Sequence, residues 1–248
     1  MSLFVIGDLH LHFQVPLKAR SQLTDPAWKD HETLFRKWCS LLIHPEDTLV
    51  LLGDHSFGRK LSECEEDLRY IEALPGRKIL LRGNHDMFWE VKQTEKLNRM
   101  FEGRLLFLQN NCYFYKDYAL VGTKGYAFEG PFLVNHKGHI VDWDKKKQAE
   151  SERLVERESQ RLRQSFEAAK AHGYRKFIMF LHYPPTNTLQ KSSPFTWMAL
   201  EYGAEQVIYA HCHGEQHFHQ SLQGKKDGIE YRLVSGDHLH WKPLKILD

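Results

Sequence analysis

An apolar run leads directly into a group of polar side chains at Lys78-Ile79-Leu80-Leu81-Arg82-Gly83-Asn84-His85-Asp86. Short apolar runs that end near Gly or Pro are typical of buried β-strands. The stretch therefore predicts a strand over Lys78–Leu81. After the strand it predicts a loop that carries an amide, an imidazole and a carboxylate.

Two earlier apolar runs lead into polar side chains in the same way. The run Leu3–Ile6 is followed by Asp8 and His10, and the run Asp47–Leu52 is followed by Asp54. Apolar residues at helical spacing predict helices over Trp28–Ile43, Leu61–Leu74 and Phe88–Phe101. Alternating strands and helices are typical of βαβ units and a mainly parallel sheet. Polar residues just past the strand ends are then expected to meet at the edge where α/β sheets bind ligands.

The second half of the chain has a different pattern. Further strands are predicted at Leu105–Leu108, Cys112–Tyr115, Ala119–Thr123, Phe177–Leu181 and Val207–Ala210. A loop or lid is predicted over 124–142, a highly charged helix over Lys145–Ala171, and a hairpin from His217–His219 and Tyr231–Val234. Because no repeat or interdomain linker interrupts the chain, residues 1–248 are expected to form a single domain.

Histidines follow two of these later strands. His182 ends one strand, and His211 and His213 follow another. Residues two apart on an extended backbone point to the same side, so Asp8 and His10 form one pair and His211 and His213 another. The candidate metal ligands are Asp8, His10, Asp54, Asn84, His182, His211 and His213.

The number and type of these side chains indicate two metal ions. Any single polar residue after a strand is more often a turn former than a ligand, so the inference depends on the ordered set. Carboxylates, imidazoles and one amide suit Mn²⁺, Fe²⁺/Fe³⁺ or Zn²⁺. The set is too large for one tetrahedral ion, but it suits two ions that share a bridging carboxylate. Such two-metal sites are typical of phosphatases, nucleases and aminopeptidases.

The amino-acid composition limits the classes of binding partner and the cellular compartment that are expected. The net charge of +2 favours neither a nucleic-acid tail nor a polybasic membrane anchor. No apolar run approaches the ~20 residues that span a bilayer, and Asp8 and His10 interrupt the first apolar run, so no signal peptide is expected. The 4 cysteines include no Cys-x-x-Cys pair. A reducing, cytoplasmic location without a disulfide framework is therefore expected.

The order Asp-x-His, Gly-Asp, Gly-Asn-His-Asp, His and His-x-His resembles the calcineurin-like metallophosphoesterase superfamily, from Gly7 to His213. The chain also resembles a bacterial group of stand-alone metallophosphoesterases in three stretches. These are Gly7-Asp8-Leu9-His10-Leu11-His12, Leu181-His182-Tyr183-Pro184-Pro185 and Lys242-Pro243-Leu244-Lys245-Ile246. The resemblance implies a four-layer α/β/β/α sandwich with two mixed sheets.

The resemblance also implies a role for each candidate residue. One metal would be held by Asp8, His10 and His213, the other by Asn84, His182 and His211, and both by Asp54. His85 would be the catalytic histidine, a role that its position beside a ligand also indicates, and Asp86 would orient it. The expected reaction is phosphoester hydrolysis by a metal-bridging hydroxide, with His85 donating a proton to the leaving oxygen.

Three residues depart from the superfamily pattern. Ala210 stands where Gly is usual, and it would be strained there if the position required a positive φ angle. Cys212 places a thiol between two expected ligands. His55 follows Asp54 where an apolar residue is commoner, and the alternatives are a partner of a metal ligand, a substrate contact or a polar residue at the strand end. A position behind the ligands or at the rim of the site is expected.

Substrate choice stays open between several alternatives. A small phosphorylated substrate, either a monoester or a diester, is expected. A nuclease or cyclic-nucleotide phosphodiesterase is the alternative, and a non-catalytic binding scaffold is ranked last. Four basic residues near the motif loops are expected to be solvated, namely Arg59, Lys60, Arg82 and Lys124. Several aromatic residues are expected to pack in the core or a lid rather than stack on substrate, namely Trp28, Trp89, Tyr126, Phe128, Trp143 and Trp197. The charged helix over Lys145–Ala171 is expected to have a solvated face rather than a dimer surface.

Overall fold

The computed structural model describes residues 1–16, 25–128, 132–134, 140–143 and 145–248. Its strands are β1 (Leu3–Ile6), β2 (Thr48–Leu52), β3 (Arg77–Leu81), β4 (Leu106–Leu108), β5 (Cys112–Tyr115), β6 (Tyr118–Thr123), β7 (Phe132–Val134), β8 (Ile140–Trp143), β9 (Lys176–Leu181), β10 (Ala204–Tyr209), β11 (Gly224–Lys226), β12 (Ile229–Leu233) and β13 (Leu244–Leu247). Its α-helices are α1 (His31–Leu42), α2 (Glu65–Glu72), α3 (Thr94–Phe101), α4 (Lys145–Ala171), α5 (Pro194–Tyr202) and α6 (Glu215–Gln220).

The strands form two mixed sheets and a separate hairpin. The first sheet has the order β13-β1-β2-β3-β4, in which β1 to β4 are parallel and β13 is antiparallel. The second has the order β11-β12-β10-β9-β6-β5, with antiparallel strands at both edges. Strands β7 and β8 pair only with each other among the described residues.

Side-chain alternation along the strands builds the layers. Leu3 and Val5 of β1 pack in the cluster between the two sheets, where they meet residues of the second sheet such as Ile178. Phe4 and Ile6 lie in the cluster that includes apolar residues of α1, α2 and α3. Successive side chains of a strand point to opposite faces, which explains the division. On the outer face of the second sheet a third cluster includes residues of α4 and α5. The four-layer α/β/β/α sandwich with two mixed sheets is therefore confirmed.

Several of the observed elements match the predicted ones closely. The bounds of β1, β5 and α4 are those predicted. The predicted strand at His217–His219 is wrong, because these residues lie in the short helix α6. Alternation over three residues did not distinguish a strand from a helical turn there. Helix α5 was not predicted, although it begins with Pro194 after Ser193, whose hydroxyl accepts hydrogen bonds from two backbone N–H groups of the first turn.

The predicted loop over 124–142 contains the hairpin strands β7 and β8. Residues 129–131 and 135–139 of that prediction lie outside the described residues. No helix in the described ranges is both long enough and apolar enough to cross a membrane.

Candidate metal centre

The candidate ligands lie at the carboxyl ends of parallel strands from both sheets. Asp8, Asp54 and Asn84 follow strands of the first sheet, while His182 and His211 follow β9 and β10 of the second. Hydrogen bonds join the loops across the two sheets. The backbone N–H of His211 donates to Asp8 Oδ2 at 2.9 Å, and His182 Nδ1 lies 2.8 Å from the carbonyl oxygen of Leu52. The fold thus gathers side chains that are far apart in sequence at one buried position.

The first cluster consists of Asp8, His10 and His213, whose candidate ligand atoms all lie within 4.8 Å of one another. His213 Nε2 lies 3.9 Å from Asp8 Oδ1. Asp8 Oδ1 is buried and has no hydrogen-bond partner among the described residues. A buried carboxylate oxygen normally has a partner, so this orphaned oxygen fits a bound cation.

The second cluster consists of Asp54, His182 and His211, again with candidate ligand atoms within 4.8 Å of one another. His182 Nδ1 is placed to donate to the Leu52 carbonyl, so in the neutral imidazole the lone pair is on Nε2. Three other acceptor atoms surround this Nε2, namely Asn84 Oδ1 at 2.8 Å, His211 Nδ1 at 3.2 Å and Asp54 Oδ2 at 3.4 Å. A single ring N–H cannot satisfy all three, whereas a cation between them can.

Asp54 connects the two clusters. Its Oδ2 atom lies 3.7 Å from His10 Nε2 of the first cluster and 3.4 Å from His182 Nε2 of the second. His182 Nδ1 also lies 3.7 Å from Asp8 Oδ1. All seven predicted ligands therefore meet in one centre, and Asp54 has the position that a shared ligand requires.

Burial and mutual charge set the protonation of the cluster in the absence of metal. Burial lowers the pKa of His10 and of His211 well below the ordinary histidine value, which favours the neutral imidazoles that bind metals. Burial raises the pKa of Asp8 to about 6, although His213 and His182 oppose the change. For His182, burial disfavours the charged form, but the charge and hydrogen bond of Asp54 and the charge of Asp8 outweigh it and raise the pKa to about 9. A proton on His182 therefore takes the place of a cation, and metal binding would release it.

Several candidate ligands have a backbone conformation that is unfavourable for residues other than glycine. The φ angles are 62° at Asp8, 45° at His10, 53° at Asp54 and 72° at His211. Such left-handed conformations cost about 1–3 kcal/mol each and cluster at functional sites. At Gly83 a side chain would be excluded, since a Cβ atom there would lie 2.1 Å from Asp54 Oδ1. The loops are thus shaped to bring ligands together rather than to minimise local strain.

Asp86 joins the loops that follow β2 and β3. Its side chain is fully buried, and its oxygens accept backbone N–H bonds from Gly83 at 2.7 Å, His55 at 2.8 Å and Asp54 at 3.0 Å. The structure therefore gives Asp86 a clear role in holding Asp54 and Asn84 near each other. The expected role as the orienting partner of His85 stays a prediction.

His85 lies at the open side of the centre. Its side chain is 31% exposed, and its Nε2 atom lies 3.9 Å from Asp54 Oδ2. The backbone N–H of His85 donates to Asp54 Oδ1 at 2.7 Å. The imidazole is therefore both close to the shared carboxylate and accessible from solvent, as a proton donor to a bound ester must be.

Two supporting residues were not foreseen from the sequence. Asp237 Oδ1 lies 3.0 Å from His213 Nδ1, and this contact orients the ring whose Nε2 faces Asp8. Asp237 follows Gly236 just after an apolar run, so the strand-to-Gly-Asp pattern could have found it. His31 is buried, and its ring nitrogens lie 2.7 Å and 2.9 Å from the carbonyl oxygens of Leu9 and Trp28. His31 therefore supports the loop that carries Asp8.

The structure shows the surroundings of the three residues that depart from the superfamily pattern. Ala210 is not among the residues with a positive φ angle, so alanine is not strained there. His55 is fully buried, and its Nε2 lies 2.9 Å from the Leu81 carbonyl oxygen, which places it below the loops and not at the rim. Burial raises the pKa of Cys212 to about 11, so its thiol is neutral near pH 7.

The basic residues near the motif loops have different environments. The expectation that Lys124 is solvated is wrong, because this residue is only 8% exposed and its ammonium group packs near two tyrosine rings. Arg82 is partly buried and donates from Nε to the carbonyl of Trp89. Arg59 and Lys60 line a cavity of about 290 Å³ together with Met87 and other residues.

The aromatic residues near the loops are mostly packed, as expected. Trp89 is fully buried, and Trp28 is 6% exposed with its ring centroid 5.2 Å from that of His213. Tyr126 lies beside Tyr183, with ring centroids 5.2 Å apart. Trp197 is the exception at 58% exposed. The side chain of Trp143 lies outside the described residues.

The chain is similar to known proteins in part of its sequence and in its fold. The gene 66 protein of Mycobacterium phage L5 is 35% identical over 80 residues, which is 32% of this chain and 37% of that protein's length. The phosphopantetheinyl hydrolase of Mycobacterium tuberculosis aligns over 99% of this chain and 95% of its own, with a TM-score of 0.54 and 14% identity. The protein TT1561 of Thermus thermophilus aligns over 99% of this chain and 97% of its own, with a TM-score of 0.51 and 11% identity. At these identities the structural neighbours show a shared fold.

The family model described as calcineurin-like phosphoesterase matches residues 1–215, which include every candidate ligand and His85. The match confirms the resemblance seen in the ordered motifs. It also agrees with the two Asp/His clusters, because the family implies divalent metal ions. The chain belongs to the calcineurin-like phosphoesterase family, a family of metal-dependent phosphoester hydrolases.

Proposed function

We propose that this chain is a dinuclear-metal phosphoesterase that hydrolyses small phosphomonoesters or phosphodiesters. The observation that carries the proposal is the pair of Asp/His clusters that meet at Asp54 Oδ2. Asp8, His10 and His213 would hold one ion, Asn84, His182 and His211 the other, and Asp54 both. The donor set of carboxylates, imidazoles and an amide supports Mn²⁺, Fe²⁺/Fe³⁺ or Zn²⁺.

The side chains around the centre divide the chemical tasks. When bound, two divalent cations make water a stronger nucleophile near neutral pH and offset phosphoryl charge. His85, which is partly exposed and 3.9 Å from Asp54 Oδ2, would donate a proton to the leaving oxygen as the phosphorus–oxygen bond breaks. Trp28 and Phe57 pack against the ring of His10 at centroid distances of 5.4 Å and 4.8 Å, and they hold this ligand in place.

The proposal is tested by metal-dependent turnover. Metal-free protein is supplied with Mn²⁺, Zn²⁺, Fe²⁺ or Mg²⁺, and the hydrolysis of p-nitrophenyl phosphate and bis-p-nitrophenyl phosphate is followed. The ratio of the two rates separates a phosphatase from a diesterase. His85→Ala is expected to lower kcat by about 10²–10⁴-fold with bound metal retained. Asp54→Ala is expected to abolish turnover and to reduce the metal content per chain.

Two further measurements make this test decisive. His172→Ala removes an exposed histidine at the end of α4, away from the candidate ligands, and should leave turnover unchanged. Elemental analysis of the loaded protein should give two ions per chain, and one ion per chain with full activity would contradict the dinuclear proposal. Turnover that persists in Asp54→Ala would contradict the assignment of the site.

We also propose a reducing compartment such as the cytoplasm for this enzyme. Its cysteines are all free, and Cys39 and Cys64 are buried. Free buried thiols are typical of proteins in reducing compartments.

A further inference from the structure

Two arginines pair with one buried carboxylate, and its charge also acts on two further basic side chains. Glu158 of α4 is fully buried and accepts hydrogen bonds from Arg161 at 2.6 Å and Arg157 at 3.2 Å. Its other oxygen accepts a hydrogen bond from the Thr123 hydroxyl at 2.7 Å. The charges of Arg82 and Lys124 act on the same group: Glu158 attracts both of them, and Arg157 repels both of them. We call Arg82, Lys124, Arg157 and Arg161 the basic cluster.

Lys124 is the most unusual member of the basic cluster. It is only 8% exposed, yet its ammonium group has no hydrogen-bond or ion-pair partner among the described residues. The nitrogen lies 5.2 Å from the ring centroid of Tyr126 and 5.3 Å from that of Tyr183. Buried ammonium groups are almost always paired with an anion, and two ring faces replace little of the lost hydration. No described residue therefore pairs directly with the Lys124 ammonium group, and the carboxylates whose charges act on it, Glu158 and Asp54, do so without a direct contact.

The basic cluster is joined directly to the metal centre. The backbone carbonyl of Lys124 accepts the N–H groups of Tyr183 at 2.9 Å and of His182 at 3.2 Å. The ring centroid of Tyr183 lies 4.1 Å from that of the candidate ligand His211. The Lys124 nitrogen lies 5.3 Å from the centroid of the same Tyr183 ring, so the Lys124 ammonium group and the His211 ring are both neighbours of Tyr183. Lys124 therefore lies close to the candidate metal centre.

We propose that the basic cluster binds a second phosphate group of the substrate, so that the preferred substrates carry two phosphates. This inference rests on the proposed function and narrows its substrate class. Lys124 would pair with the second phosphate, while Arg157 and Arg82 would add positive charge around it. The walls of this subsite would be the rings of Tyr126 and Tyr183.

The test compares adenosine 3′,5′-bisphosphate with adenosine 3′-monophosphate and adenosine 5′-monophosphate, which lack one of the two phosphates. For the metal-loaded wild type, kcat/KM is expected to be higher for the bisphosphate than for either monophosphate. Lys124→Met removes the buried charge but keeps an apolar side chain between the tyrosines. Arg157→Ala removes an exposed charge, so its folding is at little risk. Each change is expected to lower the preference for the bisphosphate by about tenfold, the value of one charge-assisted hydrogen bond.

Arg163→Ala is the matched control. Like Arg157→Ala, it removes one positive charge from α4, but Arg163 pairs with Glu201 at 2.7 Å on another face of the helix. The preference for the bisphosphate should be unchanged in this variant. Equal kcat/KM values for all three nucleotides in the wild type would overturn the inference while leaving the proposed function in place. A preference that both Lys124→Met and Arg157→Ala retain would also overturn it.

A binding experiment separates this inference from the proposed function. If no phosphate is released from any ester with any metal, the proposed function fails. Isothermal titration of the same three nucleotides into metal-loaded wild type and variants then decides the inference directly. Tighter binding of the bisphosphate that is weakened about tenfold by Lys124→Met supports the subsite. Equal binding of all three nucleotides rejects it.

Discussion

Asp86 is expected to contribute more to folding than its place beside His85 indicates. In Asp86→Ala the backbone N–H groups of Gly83, His55 and Asp54 all lose their acceptor. A buried donor without a partner costs about 1–3 kcal/mol, so the free energy of unfolding should fall by about 3 kcal/mol or more. That is a large part of the roughly 5–15 kcal/mol that stabilises a typical domain.

Asp86→Asn gives a finer measurement of the same contacts. An amide keeps one acceptor oxygen, whereas the carboxylate uses one oxygen for His55 and the other for both Gly83 and Asp54. At least one N–H group should lose its acceptor, at a cost of about 1–3 kcal/mol. The assay is urea unfolding of the metal-free protein, because bound metal would add its own stabilisation.

The outcome separates two roles for this carboxylate. Asp117→Asn, which changes an exposed carboxylate paired with Lys176, serves as the control and should shift the free energy of unfolding by no more than about 0.5 kcal/mol. If Asp86→Asn has the same urea midpoint of unfolding as the wild type, the reasoning from the three hydrogen bonds is refuted. If the same variant also loses turnover and shifts the pH profile of kcat, Asp86 acts through His85 instead.

Three further changes test the loops and a distant carboxylate. Asp237→Asn weakens the support of the His213 ring, so one of two bound ions should bind about 10–100-fold more weakly in a metal titration. Gly83→Ala places a Cβ atom 2.1 Å from Asp54 Oδ1, so metal content and urea stability should both fall, the latter by about 1–3 kcal/mol. Burial would raise the pKa of Asp47, but backbone N–H bonds outweigh it and lower the pKa, so Asp47→Asn should destabilise the protein at pH 7, and this difference should shrink as the pH falls from 3.8 through the lower folded pKa.

Each of these three predictions has a result that would contradict it. Asp237→Asn with unchanged affinity for both ions would mean that His213 is held by other contacts. Gly173→Ala is the control for Gly83→Ala: it has a positive φ angle but open space around it, so it should lower stability without changing metal content. For Asp47, a depressed folded pKa contributes stability above the unfolded value that is lost as the pH falls. A stability difference that is constant from pH 7 to pH 3 would therefore refute the assignment.

The convergence of the candidate ligands was predictable because of the positions of these polar residues in the chain. Asp8, Asp54 and Asn84 each follow an apolar run, and parallel pairing brings the ends of those runs together. A similar pattern holds at Asp237, which follows Gly236 after the strand β12. His217 and His219 share the His-x-His pattern with His211 and His213, but they occupy a helix. A pair of histidines two apart is therefore informative only when an apolar strand precedes it.

Contacts between distant loops could not be derived from the sequence. The three N–H groups that reach Asp86 come from two loops whose approach depends on the packed sheet. Lys124 reads as a solvated charge in the sequence, since long basic side chains are usually exposed. Its burial follows from the packing of Tyr126 and Tyr183 around it. Helix bounds differed for a related reason, because short 3-10 turns precede α2 and α3.

The left-handed backbone at the ligand positions limits how this centre can change over evolutionary time. Aspartate and asparagine tolerate a positive φ angle better than most residues, whereas β-branched residues tolerate it poorly. At Asp8 and Asp54, the required backbone shape would therefore restrict substitution in addition to the proposed metal binding. A descendant released from catalysis would be expected to accumulate Gly or Asn at these positions before Val or Thr. Such replacements would make the inactive protein more stable than its active ancestor, so a lineage that gained stability there could regain the enzyme only by accepting strain again.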